Sequence, residues 1–232
     1  RGLENLITDR TKLLIINSPN NPCGSVIPES DLEQIASLAV RNNLIVLSDE
    51  IYKDMYYGDY KHISISKFPG MRERTIILDG FSKSYAMTGW RLGYGVFPDF
   101  LVEEVTRLMT NINSCTNVFS QMAAISALDG SQESVDEMMK EFTFRRNLVV
   151  DGLNSLDGVT CQTPKGAFYA FPNISGTGMT SKEFEHAALY DAGVALLSGT
   201  SFGKYGDGYV RVSFANSREN LTEAISRLKK IL

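Results

Sequence analysis

The first half of the chain alternates short apolar runs with longer stretches whose apolar residues recur at helical spacing. Lys12 to Asn17 (KLLIIN) reads as a strand, after a start, Gly2 to Asp9, that reads as a helix end or loop. Pro28, Glu29, Ser30 and Asp31 open a helix with apolar positions at Leu32, Ile35, Ala36, Leu38 and Ala39, ending near Asn42 and Asn43. A second strand, Leu44 to Leu47, runs into Ser48-Asp49-Glu50-Ile51-Tyr52. Strand, helix and strand in that order predict a parallel βαβ unit, with functional loops at the strands' carboxyl ends. A third buried strand is predicted at Thr75 to Leu78, followed by the small residues Asp79, Gly80 and Ser82, which let backbone approach a ligand. Asn21, Asp49 and Lys83 all fall at carboxyl ends of these strands.

Helices are predicted over Phe100 to Thr110 and Ser120 to Leu128. Near Asp129 and Gly130 the pattern changes to a long amphipathic stretch, Ser134 to Leu156, whose methionines read as core filling. Strand-like stretches follow at Val159 to Cys161 and Ala167 to Phe171, then a helix from Ser181 to Ala192, the segment Val194 to Leu197, a strand-like Tyr209 to Ala215, and a closing helix Leu221 to Leu232. The expected organisation is α/β: a mostly parallel sheet flanked by helices in residues 1–129, and a smaller α+β domain in residues 130–232.

Composition narrows the chemistry. The 232 residues are 43% hydrophobic, enough for a full core, and the net charge of −4 offers no basic footprint for nucleic acid or a membrane surface. No apolar run approaches a membrane span, and the polar start is unlike a signal peptide. Cys23, Cys115 and Cys161 fit neither a disulfide framework nor a zinc site, which points to a reducing, cytoplasmic setting. His62 and His186 lack metal-ligand partners in the sequence and read as surface or core residues, so no metal is expected. Small-molecule chemistry remains.

A lone lysine in a Gly/Ser loop is ordinarily a solvated side chain. Lys83, however, stands at a strand's mouth eight residues before Arg91. An amine that can form an imine and a guanidinium that can hold a phosphate together suit pyridoxal phosphate. The run Ser82-Lys83-Ser84-Tyr85-Ala86-Met87-Thr88-Gly89-Trp90-Arg91-Leu92-Gly93-Tyr94 resembles the Schiff-base motif S-K-x-x-x-M/L-T-G-W-R-x-G-Y of the class I/II aminotransferases, in the aspartate aminotransferase superfamily of fold-type I enzymes.

That resemblance implies a fold-type I large domain that is partial here, lacking the family's N-terminal portion, and a small domain joined to it by the helix near Ser134 to Leu156. It also implies roles. Lys83 would hold pyridoxal phosphate as a Schiff base and act as the general base. Asp49 and Tyr52, in Asp49-Glu50-Ile51-Tyr52, match the family's D-x-x-Y: Asp49 would face the pyridine nitrogen, Tyr52 the ring oxygen, and Ile51 one ring face. Asn21, in Asn20-Asn21-Pro22-Cys23-Gly24, matches the asparagine of N-P-T-G and would also face the ring oxygen on the substrate side. Arg91 and Ser82 would bind the phosphate. Arg211, within Tyr209 to Ala215, matches the arginine that receives the substrate's α-carboxylate; on spacing alone it reads as an exposed strand-face charge.

The stretches Leu197 to Gly203 and Lys165 to Tyr169 resemble the P-G-x-x-F-G loop and a loop on the substrate side. Departures from the family pattern are Cys23 for Thr, Ser198 for Pro and Gly80 for a phosphate-binding Ser. No arginine occurs between Asn111 and Asn117, which weakens a dicarboxylate preference. The implied function is amino transfer between an amino acid and a 2-oxo acid in a homodimer. A β-lyase, or a non-catalytic aminotransferase-like binding domain, is the alternative. A Rossmann dinucleotide fold is disfavoured because no G-x-G-x-x-G follows a strand.

Overall fold

The structure is a computed structural model describing residues 2–232; Arg1, where the first expected domain starts, lies outside them. The chain forms two compact units. The first comprises residues up to Pro19, Val26–Asp54 and Lys61–Glu133, and the second Asn20–Ser25, Met55–Tyr60 and Ser134–Leu232.

The first unit holds β1 (Leu13–Asn17), α1 (Glu29–Arg41), β2 (Ile45–Asp49), β3 (Thr75–Gly80), β4 (Gly93–Val96), α2 (Asp99–Asn113) and α3 (Val118–Asp129). Its sheet runs in the order β1-β2-β3-β4. The first two pairings are parallel and the last antiparallel. Register places Asn17 opposite Asp49 and Asp49 opposite Leu78, so the carboxyl ends of three strands share one edge.

Helix α1 forms where its pattern predicts. Pro28 precedes it with φ −61°, Glu29 and Asp31 occupy the first turn and Arg41 the last, an arrangement that complements the helix dipole. Its buried face, Leu32, Ala36 and Ala39, packs with Ile16, Leu44, Val46, Ile65 and Met71. Each large side chain buried there contributes about 1.5–3 kcal/mol.

Strand β4 departs from the sequence reading, which left Gly93 to Val96 unassigned and ended the third strand at Leu78. Asp79 and Gly80 instead continue β3, paired with Tyr94 and Gly93. The glycines hide the strand from any periodicity, yet the pairing needs them: a Cβ on Gly80 would stand 3.0 Å from the Gly93 Cα and 3.1 Å from the Leu92 oxygen. Helices α2 and α3 leave Phe100, Leu108, Ile112, Phe119, Met122 and Ile125 exposed, and α3 buries only Ser120 and Ala124.

The second unit holds α4 (Glu133–Asn154), β5 (Tyr169–Ala170), α5 (Ser181–Tyr190), β6 (Leu197–Ser198), β7 (Val210–Ser213) and α6 (Arg218–Leu228). Its antiparallel sheet runs β5-β7-β6. Phe142 of α4 stacks on Phe168 at 5.8 Å between ring centroids and meets Phe214 edge-on at 6.2 Å. Two expected strands shrink. Val159 to Cys161 contributes only the bridge from Thr160 to Asn173, and Ala167 to Phe171 reduces to β5. The physical reason for the second is Ala167 itself, whose φ of 55° interrupts the extended run. Helix α6 starts earlier than expected because Ser217 caps it, its hydroxyl accepting the Asn220 N–H. Among the described residues no helix is long and apolar enough to cross a membrane.

Candidate active site

The carboxyl edge of the first unit's sheet gathers most of the residues singled out from the sequence. Asp49 closes β2, and its Oδ1 accepts the Ile51 N–H at 3.3 Å. The strand end is fixed by neighbours: Asn17 Nδ2 donates to the Asp49 carbonyl at 3.0 Å, and the Glu50 N–H donates to the Leu78 carbonyl at 2.8 Å. Burial pushes the Asp49 carboxyl above its ordinary range; the Ile51 N–H opposes this, Asp79 and Glu50 add to it, and Lys83 opposes it.

Ile51 is half-buried, its Cδ1 3.4 Å from where a Cβ on Gly80 would stand. Tyr52 is buried, and the Lys83 Nζ lies over its ring at 5.9 Å from the centroid. Lys83 and Ser82, both half-buried, lie on the turn that follows β3. Arg91 is exposed, has a left-handed φ of 52°, and donates from Nη1 to the Thr88 carbonyl at 2.9 Å. In the first unit, therefore, an amine, a carboxylate and a phenol converge at one sheet edge, with a guanidinium further along the same segment.

Asn21 and Arg211 lie in the second unit. Although 190 positions apart, they are joined directly, Arg211 Nη1 donating to Asn21 Oδ1 at 2.8 Å. The guanidinium lies over two rings, that of Tyr169 at 4.5 Å and that of Phe202 at 4.9 Å. It is a half-buried, aromatic-flanked cation rather than a solvated strand-face charge.

The loop bearing Asn21 is braced on Lys165 to Tyr169. The Lys165 and Gly166 N–H groups donate to the Gly24 carbonyl at 2.8 and 2.9 Å. Gly24 has φ +64°, and a Cβ there would stand 2.6 Å from Pro164 Cβ. Ala167 in turn is clamped, its N–H donating to Met55 O at 2.8 Å and its carbonyl accepting the Tyr57 hydroxyl at 2.6 Å. The peptide bonds preceding Pro19 and Pro22 are cis.

The two substitutions in the loops are accommodated locally. Ser198 donates its N–H to Glu185 Oε1 at 3.1 Å, a bond proline could not make, and Cys23 donates its N–H to Asn20 Oδ1 at 3.2 Å. Sequence reasoning missed two polar groups beside Asp49. One is Glu50, buried and hydrogen-bonded to Ser48, Ser64 and His62; the other joins Lys53, Asp79 and Tyr94. An acidic residue next to Asp49 and a lysine next to Tyr52 were the available signals.

The mixed sheet with flanking helices is the fold of the fold-type I aminotransferases. An aromatic aminotransferase from Pyrococcus horikoshii OT3 superposes with a TM-score of 0.96 at 46% identity, over 99% of this chain and 62% of that one. The chain belongs to the aminotransferase class I and II family, which matches residues 1–228. It is 49% identical over 232 residues to an aspartate aminotransferase of Pyrococcus abyssi and 46% identical to aromatic-amino-acid aminotransferase 2 of Thermococcus litoralis. In both cases the match covers 99% of this chain and 59% of the relative, so the chain spans about three fifths of their length.

Proposed function

We propose that this chain is the pyridoxal phosphate and substrate-carboxylate part of an aminotransferase acting on an amino acid and a 2-oxo acid. The observation that carries the reading is the position, in a member of this family, of Lys83 Nζ over the Tyr52 ring at the sheet edge that also bears Asp49. The donor set suits the cofactor: an amine for its carbonyl, a carboxylate for its pyridine nitrogen, and a guanidinium and a hydroxyl of one segment for its phosphate.

Pyridoxal phosphate, when bound, supplies a carbonyl that exchanges with the substrate's amino group and a ring that withdraws the electron pair released at the α-carbon. The chain's residues supply the rest of this reading. Lys83 Nζ would attach the cofactor and would move the proton at the substrate's α-carbon. Asp49 would hold a proton at the ring nitrogen. The Tyr52 hydroxyl and the Asn21 amide would bind the ring oxygen, Ile51 would pack on a ring face, and Arg91 and Ser82 would hold the phosphate. Arg211, steadied by Tyr169 and Phe202, receives the amino acid's α-carboxylate.

The division into a cofactor domain over residues 1–129 and a small domain over 130–232, the homodimer and a cytoplasmic setting belong to the same proposal. Exposed apolar residues on α2 and α3 support a subunit that is buried against further protein.

The test is reduction with borohydride after incubation with pyridoxal phosphate, followed by peptide mapping. One adduct, on Lys83, is expected; adducts scattered over several lysines, or none, would remove the basis for the reading. Pyruvate and ammonia formed without an oxo-acid acceptor would favour the lyase alternative. Replacing Arg211 by leucine should lower kcat/KM for the amino acid about a hundred- to a thousand-fold, chiefly through KM, since a charge-assisted contact to a carboxylate is lost. Unchanged kcat/KM in a folded Arg211→Leu variant would take the carboxylate role away from it.

A further inference from the structure

Lys53, Asp79 and Tyr94 form a closed polar group at the carboxyl edge of the first unit's sheet, and nothing in the proposed reaction uses it. Asp79 sits in β3 directly opposite Tyr94 of β4, and Lys53 follows Tyr52. The Lys53 ammonium pairs with Asp79 Oδ2. The Tyr94 hydroxyl donates to the same oxygen at 2.5 Å, and Lys53 Nζ donates to the Tyr94 oxygen at 3.1 Å. The other carboxylate oxygen accepts the Gly80 N–H at 2.7 Å. The Asp79 side chain is 5% exposed, against 33% for Lys53.

A carboxylate buried to this degree is strongly unfavourable without a counter-charge and full hydrogen bonding, and here it has both. Its location gives the pairing a second consequence. Asp49 lies opposite Leu78 in the adjoining strand, so Asp79 is one position beyond its register partner and the two carboxylates lie at the carboxyl ends of neighbouring strands, on opposite faces of the sheet. The charged groups that act on Asp49 are Asp79, Glu50 and Lys83, and Glu50 is itself covered by His62. Asp79 is the like charge whose cover is Lys53.

We infer that Lys53 is a positioning residue for the candidate cofactor site: with Tyr94 it fixes Asp79 and offsets part of the charge that Asp79 presents to Asp49. The inference rests on the reading of Asp49 as the partner of the cofactor's ring nitrogen. It adds that a lysine outside the family motif weakens the upward push that the neighbouring carboxylate exerts on this partner.

The test is a carboxyl 13C NMR titration of Asp49 in the cofactor-free protein, with the resonance assigned through Asp49→Asn. Lys53→Met should move the Asp49 midpoint upward by about one pH unit, as an uncompensated neighbouring anion does. Lys53→Arg should keep the wild-type midpoint. The double variant Lys53→Met/Asp79→Asn should return to it, because the offending charge is gone. A lysine that merely stapled two strands would change the melting temperature and leave the Asp49 titration where it was.

An unmoved midpoint in folded Lys53→Met would overturn the inference, as would a rise that persists in the double variant. If Lys53→Met does not fold, Asp79→Asn alone decides: the midpoint must fall, and an unchanged value overturns the inference. This titration needs no cofactor, so its outcome is separate from that of Lys83 mapping. A missing Lys83 adduct would sink the cofactor reading whatever Asp49 does.

Discussion

Replacing Lys83 by alanine should abolish the borohydride-fixed adduct and lower amino transfer by about ten-thousand-fold or more. Two losses combine. Proton transfer by a positioned general base contributes about a hundred- to ten-thousand-fold by itself, and covalent attachment of the cofactor is lost as well. No neighbouring group replaces an amine in both tasks: Asp49 is a carboxylate at a different strand end, and Lys53 is committed to Asp79. Lys83 is half-buried on a turn, so shortening it removes little packing, and the melting temperature should stay close to wild type. Lys182→Ala is the control, since its ammonium pairs with Glu185 on the helix surface at 2.8 Å. Intact-mass measurement of the reduced protein, with single-turnover rates, checks both parts. An adduct of undiminished yield in Lys83→Ala would show that another lysine carries the chemistry.

The parts of this fold that could be read from sequence are those with their own periodicity. The β1-α1-β2 unit announces itself because the strand runs are continuous, the helix has a clear apolar face, and breakers separate them. Strand β4 does not, because half of its residues are glycines and its identity depends on pairing with β3. Likewise β5 and β6 are two residues long, and Ala167, outside the extended region, has its carbonyl bound by the Tyr57 hydroxyl. No local pattern contains such a contact.

The candidate site divides in the same way. Lys83, Asp49 and Tyr52 were reachable because each closes or closely follows a recognisable strand within a motif. The contacts of Arg211 with the rings of Tyr169 and Phe202, and its bond to Asn21, join residues that are remote in sequence. A strand-face arginine carries no sign of that. His62, read as an ordinary surface or core residue, proves to be the partner of a buried glutamate, which the sequence could not show because only folding brings the two together.

That glutamate sets the largest expected change in stability. Glu50→Ala should destabilise the fold by about 3–5 kcal/mol near neutral pH, the usual cost of removing one partner from a buried charged group. The carboxylate of Glu50 accepts Ser48 Oγ at 2.9 Å and Ser64 Oγ at 2.7 Å on Oε1, and meets His62 Nε2 at 2.8 Å on Oε2. Deleting it leaves these groups at a site that is only 4% exposed.

The pH dependence has a definite sign. Burial pushes the Glu50 carboxyl up, but hydrogen bonds from His62 and Ser64, with the His62 charge and Ser48, outweigh it and hold the carboxyl below its ordinary value. The unfolded chain therefore binds this proton more readily than the folded one. Glu50's contribution is complete above the unfolded glutamate value of about 4.3 and is lost as pH falls through the lower folded value. Urea unfolding of wild type and Glu50→Ala should show a wide gap near neutral pH that narrows in acid. Ser64→Ala, which removes one donor, should cost about 1–2 kcal/mol and keep the same pH trend. Equal urea midpoints for wild type and Glu50→Ala near neutrality would mean the cluster does not stabilise this edge. The carboxyl end of β2, and with it the placement of Asp49, would then have to be held by the strand pairing to Asn17 and Leu78 alone.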